Sequence, residues 1–169
     1  MGMDRLWAPW RMEFIRDGLK DGECFLCTAA RSTDDAGRYV VRRGEHCFCL
    51  LNRYPYNNGH VLICPYRHVG ELENLTRAEL DELMRITIEA KRALDRACSP
   101  HGYNVGLNLG RVAGAGLEEH LHMHVVPRWS GDTSFLTTIG STKMIPQALE
   151  EMWQILREKW EPPPAGDTR

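Results

Sequence analysis

The sequence predicts an α+β domain, a mostly antiparallel sheet packed against one long helix and a C-terminal helix. Three observations carry this expectation. Short apolar, β-branched runs recur between clusters of turn residues. One extended segment, opened by Thr76 and Glu79, carries apolar residues at helical spacing. A second amphipathic stretch, Met152, Trp153, Leu156 and Trp160, closes the chain.

In chain order, Asp4 to Asp17 predicts a short helix with Pro9 near its start. Strands are expected at Tyr39–Arg42 and Cys47–Leu51, separated by Arg43-Gly44-Glu45. Asn52 to Gly59 has loop chemistry, with Pro55, Asn57, Asn58 and Gly59. His60 to Cys64 reads as a buried strand stopped by Pro65. The long helix is expected over about Arg77 to Ala97, with Leu80, Leu83, Met84, Thr87 and Ile88 as its clearest inward positions, before Pro100 ends it. Tyr103–Asn108 and His120–Val126 are further strands, flanking a glycine-alanine loop from Gly110 to Gly116. Pro146 suits the first turn of a final helix through Trp160. Residues 1–160 are expected to form one domain with an extension at 1–23, and the proline-rich 161–169 a flexible tail.

The chain has 169 residues, 43% hydrophobic and 26% charged, which suits a soluble globular protein. A net charge of -2 disfavours bulk nucleic-acid binding, so an anionic ligand needs a local site. No apolar stretch is long enough for a membrane span or has the pattern of a signal peptide. A cytoplasmic location is therefore expected. Cys47, Cys49, Cys64 and Cys98 read as small apolar residues, not disulfide partners.

The most informative segment is His120-Leu-His122-Met-His124-Val-Val126. In an extended backbone the three histidines share one face, and Leu121, Met123 and Val125 share the other. Three neighbouring imidazoles cannot all be charged cheaply, so some are neutral near pH 7. A neutral ring has a lone pair for a metal or an electrophile. Two readings follow: three ligands of a catalytic metal, or one nucleophile tuned by its neighbours. The preceding Gly110-Arg-Val-Ala-Gly114-Ala-Gly116 favours the second, because such a loop lets backbone N–H groups approach a phosphate.

The three-histidine segment resembles the signature of the histidine triad (HIT) family. Asn52 to Pro65 is similar to that family's strand-loop-strand, and Tyr103 to Gly110 to the strand before its phosphate loop. The similarity covers about Cys24 to Trp129. With Leu6-Trp-Ala-Pro-Trp-Arg11 it points to the branch of bacterial diadenosine tetraphosphate (Ap4A) phosphorylases and hydrolases. The resemblance implies a HIT-like fold and an enzyme acting on dinucleoside polyphosphates or related adenine nucleotides. His122 would attack the α-phosphorus and form a nucleotidyl intermediate, which water or inorganic phosphate then resolves. His124 would bond within the site and His60 would orient it. Asn52, Asn108, Gly114, Gly116 and His120 are the implied substrate contacts. Many members carry Gln-Ser or Gln-Thr before the first histidine. Here Leu117-Glu118-Glu119 stands instead, which makes phosphate a more plausible acceptor. Arg111 and Arg128 are candidate charge donors.

Cys24-x-x-Cys27 is half of a zinc site, with His46, His68, His101 and His120 as possible partners. The resemblance selects His68 and His120, which would make the zinc structural. No organic cofactor is implied. A homodimer or higher homo-oligomer is expected, since the resemblance implies pairing through the long helix and adjacent strand. The alternatives are a metal-dependent hydrolase using all three histidines, and a nucleotide sensor with little turnover.

Overall fold

A computed structural model describes residues 24–133 and 147–161. The helix expected over Asp4–Asp17, the 1–23 extension, the helix start at Pro146 and the tail beyond Glu161 lie outside the described residues.

Five strands form one sheet: β1 (Val40–Arg43), β2 (Cys47–Leu51), β3 (Val61–Pro65), β4 (Gly102–Leu107) and β5 (Met123–Arg128). Their order is β1-β2-β3-β5-β4, and every neighbouring pair is antiparallel. Among the described residues three α-helices accompany them: α1 (Phe25–Arg31), α2 (Arg77–Cys98) and α3 (Leu149–Lys159). The α+β architecture expected from the sequence is present.

Alternation splits the central strands between two apolar layers. Cys47, Cys49, Leu51, Val61, Ile63, Met123 and Val125 face α2 and α3, where Leu83, Ile86, Ala90, Leu94, Met152 and Leu156 complete the main core. Phe48, Leu50, Leu62 and Cys64 face the other way, under Leu26 and Ala29 of α1. The short helix α1 thus covers one end of the second face. His124 pairs with Leu62 across the ladder and lies on this same face. All four cysteines outside the Cys24-x-x-Cys27 pair are free thiols, three of them buried.

The long helix begins as expected, with a complete capping box between Thr76 and Glu79, and ends with Ser99 in a left-handed conformation. Its inward face differs from the sequence reading. Leu83, Thr87, Ala90 and Leu94 are buried, but Met84 and Ile88 are each 49% exposed, and Ile86 and Ala93 are buried instead. The cause is polar. Glu79, Glu82 and Glu89 are buried on this helix, which dilutes the apolar period. The Glu82 carboxylate accepts the backbone N–H groups of Glu45, His46 and Cys47, so it clamps the β1–β2 turn to the helix. Arg67 holds Glu79 at 2.7 Å and, as its main cause, lowers that carboxyl to about 2.

Two further differences appear. Helix α1 was not expected from the sequence. Among the described residues the final helix runs from Leu149 to Lys159, after Ala148 at its N-cap. The last strand begins at Met123, not His120, because the chain leaves the ladder there: Leu121 N–H donates to Val69 O at 2.7 Å, away from β3.

Ile86 is fully buried at the centre of the helix–sheet interface. Ile86→Ala should therefore cost about 2–5 kcal/mol, read as a lower urea midpoint at unchanged slope. A loss below ~1 kcal/mol would show that this face is not packed as described.

Candidate active site and adjoining metal cluster

The segment leading into β5 sets the site. His120 is fully buried and its Nε2 lies 2.9 Å from the Pro65 carbonyl oxygen. A carbonyl only accepts, so His120 Nε2 carries the hydrogen and its Nδ1 keeps a lone pair. The next histidine repeats the logic on the other nitrogen. His122 Nδ1 lies 2.8 Å from the His120 carbonyl, so Nδ1–H donates and Nε2 is bare. Burial holds the His122 pKa below its ordinary value, which keeps the ring neutral. A neutral imidazole with one free lone pair is a competent nucleophile.

His124 lies beside it, with ring centroids 4.9 Å apart. Its Nδ1 is 2.9 Å from Nε2 of the fully buried His60. His60 Nδ1 in turn receives the Tyr56 backbone N–H at 3.1 Å and faces the Asn52 amide nitrogen at 3.2 Å. On the far side, the Asn108 amide nitrogen lies 3.5 Å from His124 Nε2. His60, His122, His124, Asn52 and Asn108 therefore form one connected group. Burial, then the neighbouring His122, lowers His124 to about 4. Burial also drives His60 well below its ordinary value, with His124 and His122 adding to it.

Tyr56 belongs to this group and was not singled out in the sequence. Its half-exposed ring packs nearly parallel to His124, at 5.7 Å and 11°, and against His60 at 4.7 Å. The available signal was an aromatic residue four positions before His60, one of two tyrosines in that loop. Asn57 is also buried, bonded to Pro127 O and Asp132, and pins the same loop to β5. Gly106 stands opposite His124 in the ladder, and a side chain there would enter open space. The face beside His124 is left clear.

The second cluster joins Cys24, Cys27, His68 and His120, whose ligand atoms all lie within 4.8 Å of one another. Cys24 Sγ is 3.2 Å and Cys27 Sγ 3.4 Å from His120 Nδ1, and Cys27 Sγ is 3.2 Å from His68 Nδ1. In a tetrahedral zinc site, sulfur and nitrogen ligands sit about 3.5 Å apart. The donor set, its spacing and the bare Nδ1 of His120 all fit such an ion. Burial raises the Cys24 thiol to about 11, so this sulfur holds a proton unless a cation replaces it. Gly70 packs tightly beneath the backbone of Glu118 and Glu119, bringing the His68 loop against the segment that carries His120.

Other candidates fall elsewhere. His46 faces Glu45, and His101 bonds Ser130. Arg128 is held by Asp132 and Asn104, and Arg111 faces Glu118 at 3.7 Å. The glycine loop contains a single 3-10 turn, Arg111–Ala113, between Gly110 and Gly114, both at positive φ. The N–H groups of Ala113, Gly114 and Ala115 bond to carbonyls of Gly110 and Arg111. These three amides are thereby engaged within the turn. Gly116 follows it, exposed, before the catalytic segment. The three histidines of the segment do not all turn toward one point. His120 turns its free nitrogen toward the two thiols, whereas Nδ1 of His122 and Nδ1 of His124 are engaged by a carbonyl and by His60.

The HIT domain family matches residues 35–131. The AP-4-A phosphorylase of Mycobacterium tuberculosis is 45% identical over 94% of this chain and 85% of its own length. This chain belongs to the HIT family. Another HIT relative, the asymmetrical bis(5'-nucleosyl)-tetraphosphatase of Schizosaccharomyces pombe, is 32% identical over 58% of this chain and 53% of its own. Among solved structures, a histidine triad nucleotide-binding protein of Sulfolobus tokodaii superposes with a TM-score of 0.62 at 26% identity, covering 80% of this chain and 91% of that one. A zinc-bound histidine triad protein of Mycobacterium smegmatis shares the fold, with a TM-score of 0.65 at 24% identity over 82% and 94% of the two chains.

The lowered pKa of His124 has a signed consequence. Unfolded, its imidazole titrates near 6.5; folded, near 4. Acidification therefore protonates the unfolded chain first, and this group's contribution to stability falls from about pH 6.5 down to about 4. In an NMR titration the His124 ring signals should stay at their neutral positions through pH 5. A midpoint near 6.5 would contradict the burial described here.

Proposed function

We propose that this chain transfers the nucleotidyl group of dinucleoside polyphosphates, of which Ap4A is the model substrate, through a covalent intermediate on His122. The observation that carries this is the bond from His122 Nδ1 to the His120 carbonyl, which leaves Nε2 as the bare nitrogen of a buried neutral ring. The Nε2 lone pair forms a bond to the α-phosphorus while the bond to the polyphosphate breaks. A second nucleophile then releases the nucleotide. Splitting one displacement into two suits phosphorus, since the P–N bond is labile. The 45% identity to an AP-4-A phosphorylase supports inorganic phosphate as that nucleophile. His124 bonds within the site and His60 orients it. Asn52, Asn108, Gly114, Gly116 and the His120 backbone are assigned to substrate contact.

Cys24, Cys27, His68 and His120 would hold zinc. Four protein ligands would make it structural, tying the segment that bears the nucleophile to α1. Reduced thiols in such a cluster suit the cytoplasm. A homodimer is supported by β4, the edge strand of the sheet among the described residues, where Val105 is half exposed, and by Met84 and Ile88 on α2. No helix among the described residues is long and apolar enough to cross a membrane.

His122→Ala should reduce turnover by orders of magnitude while circular dichroism and melting stay near wild type. Labelled Ap4A should leave acid-labile nucleotide on the wild-type protein and none on the variant. Near-normal rates in His122→Ala would end the proposal. Elemental analysis should find zinc bound to the purified chain and lost in Cys27→Ser, with a lower melting temperature. Brief chelation that leaves the fold intact should spare turnover. Loss of activity under those conditions would point to a catalytic ion.

A further inference from the structure

The hydrogen bonds around His60 dictate where every proton in the site resides. The Tyr56 main-chain N–H can only donate, and it points at His60 Nδ1. The Asn52 amide is oriented independently, because its Oδ1 accepts the Tyr54 N–H at 3.0 Å and its nitrogen therefore faces the same Nδ1. Two donors meet at His60 Nδ1, so that nitrogen is bare and the ring proton sits on Nε2. That proton fills the 2.9 Å gap to His124 Nδ1, which must then accept. His124 keeps its own proton on Nε2, the atom that faces Asn108. A half-turn of the Asn108 amide presents its oxygen to that hydrogen. The reverse arrangement would set two donors against a hydrogen at His60 and gain one contact at 3.5 Å. A doubly protonated His124 would place two hydrogens in a single 2.9 Å gap.

We propose that the Asn52–Tyr56–His60 arrangement locks His124 as a hydrogen-bond donor, so that the site exchanges nucleotidyl groups only between leaving and attacking groups that are already anions. This rests on the nucleotidyl-His122 reading above and specifies its acceptor. In the first half-reaction, the His122 Nε2 lone pair bonds to phosphorus, and the P–O electron pair departs with a nucleoside polyphosphate that is stable as an anion. His122 keeps its Nδ1 hydrogen on the His120 carbonyl, so the intermediate pairs a cationic ring with an anionic phosphoryl group. In the second half-reaction, a phosphate oxygen brings its own electron pair, the P–O bond forms, and the P–N pair returns to Nε2. No proton moves in either direction, and charge balances throughout. Water is the poorer acceptor because it must lose a proton as it attacks, and the nearest imidazole nitrogen is already protonated. Amine and alkoxide leaving groups are poor for the converse reason: they need a proton that His124 cannot replace from His60.

Two measurements test this. The first is long-range nitrogen–proton NMR on the whole protein, which reports each imidazole tautomer without any turnover. Protons on Nε2 of both His60 and His124 are expected; a proton on Nδ1 of His124 overturns the lock, whatever the enzyme does. The second is the partition of the nucleotidyl-enzyme between water and inorganic phosphate, measured from AMP and ADP produced from Ap4A. Because both products come from one intermediate, the ratio is independent of substrate affinity. ADP should dominate at millimolar phosphate, with no primary solvent deuterium effect on its formation. Asn52→Asp keeps an oxygen for Tyr54 and offers another to His60 Nδ1, which favours the opposite tautomer. That variant should shift the partition toward AMP by about 10–100-fold. An unchanged ratio in a folded Asn52→Asp protein, or wild-type AMP formation matching ADP formation, overturns the proposal. Failure to form any nucleotidyl-enzyme would instead reject the reading of His122, and the NMR result would still decide the lock.

Discussion

The bond from the His120 ring to the Pro65 carbonyl organises the two clusters at once. It removes one ring nitrogen from use and aims the other at the thiols of Cys24 and Cys27. It also replaces a ladder bond at the end of β3, where the backbones of β3 and the catalytic segment part. The His120 backbone, held by its own side chain, then offers its carbonyl to His122. The proposed metal ligand and the proposed nucleophile, two residues apart, are thus coupled through one peptide unit. Ordering that unit has an entropic cost, which the buried hydrogen bonds and the donor cluster offset together.

The sheet separates support from chemistry. One face is sealed by α2 and α3 around an apolar core. The other is covered by α1 at one end and carries the histidines at the other. The loop bearing Tyr56 and His60 is fastened to the sealed side. Gly59 sits at positive φ where a Cβ would come within 2.8 Å of Leu94 and 2.9 Å of Met152. Close approach and left-handed backbone together demand glycine there. Small shifts in the helix layer would therefore reach His60 directly.

Much of this was legible in the sequence, for identifiable reasons. A short apolar run bounded by turn residues located β2 at its observed ends, and the capping box located the start of α2, because both signals are local. The three histidines announced themselves by spacing. The inward face of α2 was read one residue off, at Met84 and Ile88, because buried glutamates carry a polar label while serving the backbone of a distant turn. The last strand began later than the pattern suggested because Leu121 bonds outside the sheet. Tyr56 escaped notice since its part is played by a main-chain N–H, which no side-chain motif encodes. Choosing His68 and His120 from four histidines needed the family resemblance, since spacing alone could not decide it.

The donor that Tyr56 supplies to His60 belongs to the peptide group, not to the tyrosine ring. Every amino acid except proline carries it. Genetic drift at position 56 can therefore recolour the pocket, altering its aromatic wall, while the wiring beneath is inherited untouched. A descendant seeking different chemistry would have to rebuild the loop or change residue 52, and substitutions at 56 offer it almost no route.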